Sequence, residues 1–131
     1  MDKEKIIRFL LDNGLEDVEE LSYEDLVVLR FYFDFDDSEL NAARAYANDE
    51  SEEEEESDPW YNEYYLTYLS ELAVDSVGEI VEDLMDELNI EAQYTSYEID
   101  KENCDYSEFV AVFYEKGKAV DLDEILEKIE A

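Results

Sequence analysis

Forty-one carboxylates and no histidine limit the chemistry open to this chain. Without imidazole there is no Ser-His or Cys-His nucleophile, no imidazole acid–base pair and no histidine metal ligand. A single cysteine, Cys104, rules out an internal disulfide and thiolate zinc or iron–sulfur centres; it reads as a small, partly buried hydrophobe in a reducing compartment. The three glycines, Gly14, Gly78 and Gly117, lie too far apart to cradle a phosphate. Carboxylate-only hydrolysis, as in glycosidases, survives elimination, but among so many acids a close pair carries no information. The stretch Asp34-Phe35-Asp36-Asp37-Ser38-Glu39 begins like a calcium loop, yet lacks the central glycine and the closing spacing. We therefore expect no catalytic residues, no specific metal site and no cofactor: a binding protein, not an enzyme.

What remains is charge. Forty-one acids against nine bases give a formal net charge of -32. Such self-repulsion opposes compaction, and its field disfavours direct contact with nucleic acid or anionic membranes while favouring basic partners. The charge is also concentrated. Between Arg44 and Lys101 there is no base, and those 56 residues hold 19 acids. Within them Glu71, Asp75, Glu79, Asp83 and Glu87 follow at four-residue intervals, with Glu82 and Asp86 beside them. On a helix, four residues rise about 6 Å, which makes a ridge of anions. Like charges at that spacing destabilise a helix by about 0.2–0.5 kcal/mol per pair; an ordinary solvated face would alternate Glu with Lys. The run Glu52, Glu53, Glu54, Glu55 and Glu56, with Asp58 and Glu63, adds charge near the start of the ridge. Tyr61, Tyr64, Tyr65 and Tyr68, with Trp60, offer surfaces for stacking on arginine, although the spacing of Tyr61, Tyr65, Tyr68 and Leu72 also fits a buried stripe.

The elements that must hold these residues read as α+β: mostly helical, with a small C-terminal antiparallel β-hairpin or sheet. Residues 1–131 are expected to form a single domain, with an acidic loop at about 48–58. Asp2 caps a first helix, and Asn13-Gly14 stops it. Ser22 with Asp25 reads as the start of a second helix from Tyr23 to about Phe33, apolar on nearly every side and so buried. Asp37 or Ser38 begins a short third helix. Asp58-Pro59 starts a long one to Asn89, which Gly78 can kink or split. The stretches 92–99 and 108–115 are rich in β-formers and read as a hairpin. Asp121 and Glu124 open a final helix. The N-terminus shows no apolar targeting segment, so the expected location is the cytoplasm. Acidic faces of two copies repel, leaving the apolar second helix as a surface through which a dimer could form.

In general character the chain resembles the acidic DNA-mimic inhibitors, the anti-restriction and anti-CRISPR proteins and nuclease inhibitors of phages and mobile elements. The resemblance rests on size, charge, the carboxylate ridge and the tyrosines beside it. It implies binding to a basic nucleic-acid-binding protein (a nuclease, CRISPR effector or restriction enzyme) and blockage of its groove. The expected contact residues are then Glu52, Glu53, Glu54, Glu55, Glu56, Asp58, Glu63, Tyr64, Glu71, Asp75, Glu79, Glu82, Asp83, Asp86 and Glu87. Two other readings fit the same composition. One is an acidic adaptor, chaperone or immunity protein whose basic partner is not displaced by DNA. The other is a housekeeping domain adapted to a salty cytoplasm, against which stands the excess of Lys (six) over Arg (three).

Overall fold

The computed structural model describes residues 2–23 and 26–130. Asp2 accepts a hydrogen bond from the Lys5 backbone N–H and caps α1 (Lys3–Asp12). Gly14, at φ 91°, turns the chain out of that helix.

The next segment corrects the sequence reading. In place of a buried helix from Tyr23 to Phe33 the chain forms β1 (Glu16–Tyr23) and β2 (Leu26–Asp34), paired antiparallel. Ser22, expected as a helix cap, pairs with Val27 in this ladder, and Asp25 lies outside the described residues. The physical reason lies in composition. Val27, Val28, Phe31, Tyr32 and Phe33 are β-branched or aromatic, and a strand buried on both faces shows the same unbroken apolar run as a buried helix. The apolar segment expected to offer a helix for dimer contacts is therefore a central strand, paired along both edges.

The hairpin expected near the C-terminus is present as β3 (Glu91–Ser96) and β4 (Tyr106–Tyr114). It is half of a larger sheet, in the order β1-β2-β4-β3 and antiparallel throughout. The α+β class therefore holds, but the sheet is not confined to the C-terminus. Strands interleave with helices along the chain.

Side chains of β2 and β4 alternate between two apolar layers. Leu29, Phe31, Phe109, Ala111 and Phe113 face a core shared with α1, α2 (Asp37–Glu50) and α3 (Leu66–Leu88). Val28, Val110, Val112 and Tyr114 face α4 (Leu122–Glu130) through Leu122 and Ile125. Among the described residues no helix is long and apolar enough to cross a membrane.

The long helix expected from Pro59 to Asn89 is continuous past Gly78, with a wide π-helical turn at its start (Trp60–Tyr65) and a left-handed Asn89 at its end. Gly78 does not split it. The glycine instead admits β3: a Cβ built at Gly78 would lie 2.9 Å from the Tyr94 hydroxyl oxygen. Two opposed effects then meet in Gly78→Ala, since alanine favours a helix interior by about 1 kcal/mol while the methyl displaces Tyr94. We predict that Gly78→Ala lowers stability by about 1 kcal/mol in the natural chain. In a Tyr94→Phe background it should raise stability by up to about 1 kcal/mol. Chemical denaturation of the four proteins of this cycle checks the sign change.

Candidate partner-binding surface

The long helix anchors itself through Leu66, Leu69, Ala73, Val77, Val81 and Leu84, all buried. At about 100° per residue these six share one face. Glu71, Asp75, Glu79, Glu82, Asp83, Asp86 and Glu87 are all exposed. They do not form one line. Strict four-residue steps drift by about 40° each, so Asp83 and Glu87 swing toward the flank. Glu71, Asp75, Glu82 and Asp86 fall within about 60° of one another, directly opposite the buried face, with Glu79 about 20° beyond. The straight stripe thus runs 71, 75, 79, 82, 86 and spans about 22 Å. None of the seven α3 carboxylates forms an ion pair among the described residues.

The acidic run is arranged differently. Helix α2 extends to Glu50, beyond the expected loop start, so the connecting segment is 51–57, and the chain is helical again from Asp58. The Ser51 hydroxyl accepts from the Glu53 backbone N–H, and the Ser57 N–H donates to the Glu54 carbonyl at 3.0 Å. Arg44 reaches across to bind Glu55 and lies 3.8 Å from Glu56. Lys101 binds Asp58 at 2.8 Å. The two bases that bracket the base-free stretch in sequence therefore fold back onto its acidic run. Glu52, Glu53 and Glu54 are exposed without a cationic partner among the described residues, as is Glu63.

Most of the aromatic cluster is internal. Trp60 and Tyr65 are buried and stacked, with centroids 4.9 Å apart. The indole N–H donates to Asn48 at 3.0 Å. The arginine that stacks on this pair is the chain's own, with the Arg44 guanidinium 5.4 Å from the Trp60 ring and 5.8 Å from Tyr65. Tyr64, half-buried, stays near the surface, and Tyr68 pairs with Tyr46 at 5.2 Å on the stripe side of α3. Tyr46 is 40% exposed and went unnoticed in the sequence, because α2 carries too little apolar periodicity to show which of its residues face α3.

The calcium-like stretch is a helix start. Asp36 accepts from the Glu39 N–H at 2.8 Å and Glu39 accepts from the Asp36 N–H at 2.9 Å, which is a capping box on α2. The Cys104 thiol is half-buried, and burial, followed by the neighbouring Asp105, pushes its pKa up. That makes it a poor nucleophile. Comparison with protein families, with curated proteins and with solved structures gives no match.

Two exposed pairs give opposite responses to acid. A hydrogen bond with Lys101, then its charge, lowers the Asp58 pKa; the resulting stabilisation is present above the unfolded carboxylate range and is lost as pH falls through the folded value. A hydrogen bond with Asp34, then that residue's charge, raises the Glu16 pKa. That contribution is present below the unfolded value and is lost as pH rises through the folded one. We predict that Asp34→Asn raises the melting temperature at pH 7 and that the gain shrinks toward pH 4. Lys101→Met should lower it at pH 7, with the loss vanishing in strong acid. Thermal melts of both variants across this range test the two signs.

Proposed function

We propose that the protein is a nucleic-acid mimic that binds and inhibits a DNA- or RNA-binding protein through its acidic surface, in the manner of anti-restriction and anti-CRISPR inhibitors, and that it is not an enzyme. The observation that carries this reading is the α3 stripe. Five carboxylates project from a helix anchored on its opposite face, and no base of the described chain neutralises them. A regular line of anions on a rigid support is what a groove built for a phosphate backbone recognises. Tyr64, Tyr68 and Tyr46 at its head supply flat aromatic area of the kind that anchors interfaces. Glu52, Glu53, Glu54 and Glu63 extend the charge there, whereas Glu55, Glu56 and Asp58 are partly neutralised from within.

One feature favours the adaptor reading instead. The stripe carries one charge per about 4.5–6 Å, sparser than duplex DNA at one per about 1.7 Å of axis. An acidic adaptor, chaperone or immunity protein would need no such density.

Competition separates the two. The complex captured from cell extract on the immobilised protein should release its partner to duplex DNA as well as to salt if the surface is a mimic. Release by salt alone favours the adaptor, and capture of nothing defeats both. The combined variant Glu71→Gln, Asp75→Asn, Glu82→Gln, Asp86→Asn supplies the control. It should weaken capture at least about tenfold and flatten its salt dependence. It should also raise the melting temperature, because removing like-charge neighbours relieves about 0.2–0.5 kcal/mol per pair. Weaker capture together with a lower melting temperature would instead mean that these carboxylates serve the fold.

A further inference from the structure

The sheet face that carries α4 is only partly covered. Leu122, Ile125, Leu126 and Ile129 pack around Val28, Val110, Val112 and Tyr114. Farther along, the register brings Arg30, Tyr32 and Asp34 of β2 beside Glu19 and Glu16 of β1 and beside Glu108 and Tyr106 of β4. Positions 30, 32 and 34 share the side of Val28, because alternate residues of a strand point the same way. There Tyr32 and Tyr106 meet edge to face, centroids 5.6 Å apart at 78°. Together with Asp17, Glu19 and Asp34 they line a shallow hollow of about 460 Å³. Tyr106 is 38% exposed.

Arg30, on the same side of β2, is already engaged: it lies 3.1 Å from Glu108 and 3.8 Å from Glu19. Asp17 and Asp34 have no ion-pair partner among the described residues. Asp17 sits at the register shift of β1 with φ 50°, which carries its carboxylate out of the regular ladder. A floor of phenol rings with a carboxylate rim is complementary to a flat cation. A guanidinium can stack on a ring while its N–H groups reach carboxylates, whereas the compact, strongly hydrated ammonium of lysine does so less well. Anions are repelled by the carboxylate rim.

We propose that this uncovered part of the sheet seats an arginine side chain of a protein partner, held on Tyr32 and Tyr106 between Asp17, Glu19 and Asp34. Helix α3 packs on the opposite face of the sheet. The hollow is therefore a second contact surface, and the inference stands whether or not the stripe imitates a nucleic acid.

The test is an NMR titration of the whole protein with acetyl-Gly-Arg-Gly-amide and with its lysine counterpart, read at the Tyr32 and Tyr106 ring signals and at the backbone amides of β1 and β2. The arginine peptide should shift these signals saturably and bind about three- to fivefold more tightly than the lysine peptide. Asp17→Asn, which suits the left-handed backbone, and Tyr106→Leu should each weaken it about three- to fivefold. The four-substitution stripe variant should leave the shifts at Tyr106 unchanged, so this site and the stripe can fail separately. Three results would overturn the proposal: shifts confined to α3 and the acidic run, equal response to both peptides, or unaltered binding by a folded Tyr106→Leu protein.

Discussion

The pairing of β2 with β4 is the contact on which every other layer is built. Leu26–Asp34 and Tyr106–Tyr114 lie far apart in sequence yet align without interruption from Val27↔Phe113 to Asp34↔Tyr106. Over Val28–Leu29 and Phe109–Tyr114 the two strands are buried on both faces, and alternate residues feed different cores. On one side Phe31 stacks on Phe109, centroids 5.8 Å apart and nearly parallel, an arrangement that adds about 0.5–1.5 kcal/mol to the area it buries. Helices α1, α2 and α3 close over that side. On the other, Val28, Val110 and Val112 are the platform for α4. Without this central pair both sets of helices lose the sheet surface they bury against.

Four of the nine bases tie different segments together. Lys3 joins α1 to Glu20 of β1, Arg30 joins β2 to Glu108 of β4, Arg44 joins α2 to Glu55 in the acidic run, and Lys101 joins the β3–β4 connection to Asp58. Exposed pairs of this kind contribute about 0–1 kcal/mol each, so their effect is on where segments sit more than on whether the chain folds. Their placement has an electrostatic consequence. Neutralisation occurs at the rim of the sheet and around the acidic run, while among the described residues no carboxylate on the outer face of α3 has an ion-pair partner. The net charge of -32 is therefore unevenly shown to solvent.

How much of this could be read from sequence depended on whether the signal was local. The caps at Asp2 and Asp121, the stop at Gly14, the β3–β4 hairpin and the exposure of the α3 acids follow from neighbouring residues, whereas the strict four-residue row does not hold as one line. Leu26–Phe33 was misread because an apolar run buried on two faces has no period to separate strand from helix. Its partner β4 lies across the chain, and β1, heavy with acids, does not look like a strand. Gly78 suggested a break for the same reason: its role depends on Tyr94, which approaches from another element. The folding back of Arg44 and Lys101, and the meeting of Tyr32 with Tyr106, are likewise contacts between distant segments. Composition alone indicated how acidic the candidate surface would be; only the packing of α3 decides which of its acids line up.

Magnitudes explain why the stripe can exist. On α3 the four-residue neighbours Glu71–Asp75, Asp75–Glu79, Glu79–Asp83, Asp83–Glu87 and Glu82–Asp86 each cost about 0.2–0.5 kcal/mol, about 1–2.5 kcal/mol together. On the opposite face Leu66, Leu69, Val77, Val81 and Leu84 are buried, each stabilising by about 1.5–3 kcal/mol. Burial exceeds repulsion several-fold, so the helix tolerates a line of like charges that an isolated peptide of the same sequence would not. The tolerance depends on the helix starting in the right phase. The π turn at Trp60–Tyr65 sets that phase: stacking Trp60 on Tyr65 beneath Arg44 fixes the first turn, and a change of one residue there would rotate every later carboxylate by about 100°. An acidic surface with a defined shape thus rests on an apolar and aromatic anchor, and the anchor, more than the number of acids, distinguishes this chain from a merely charged one.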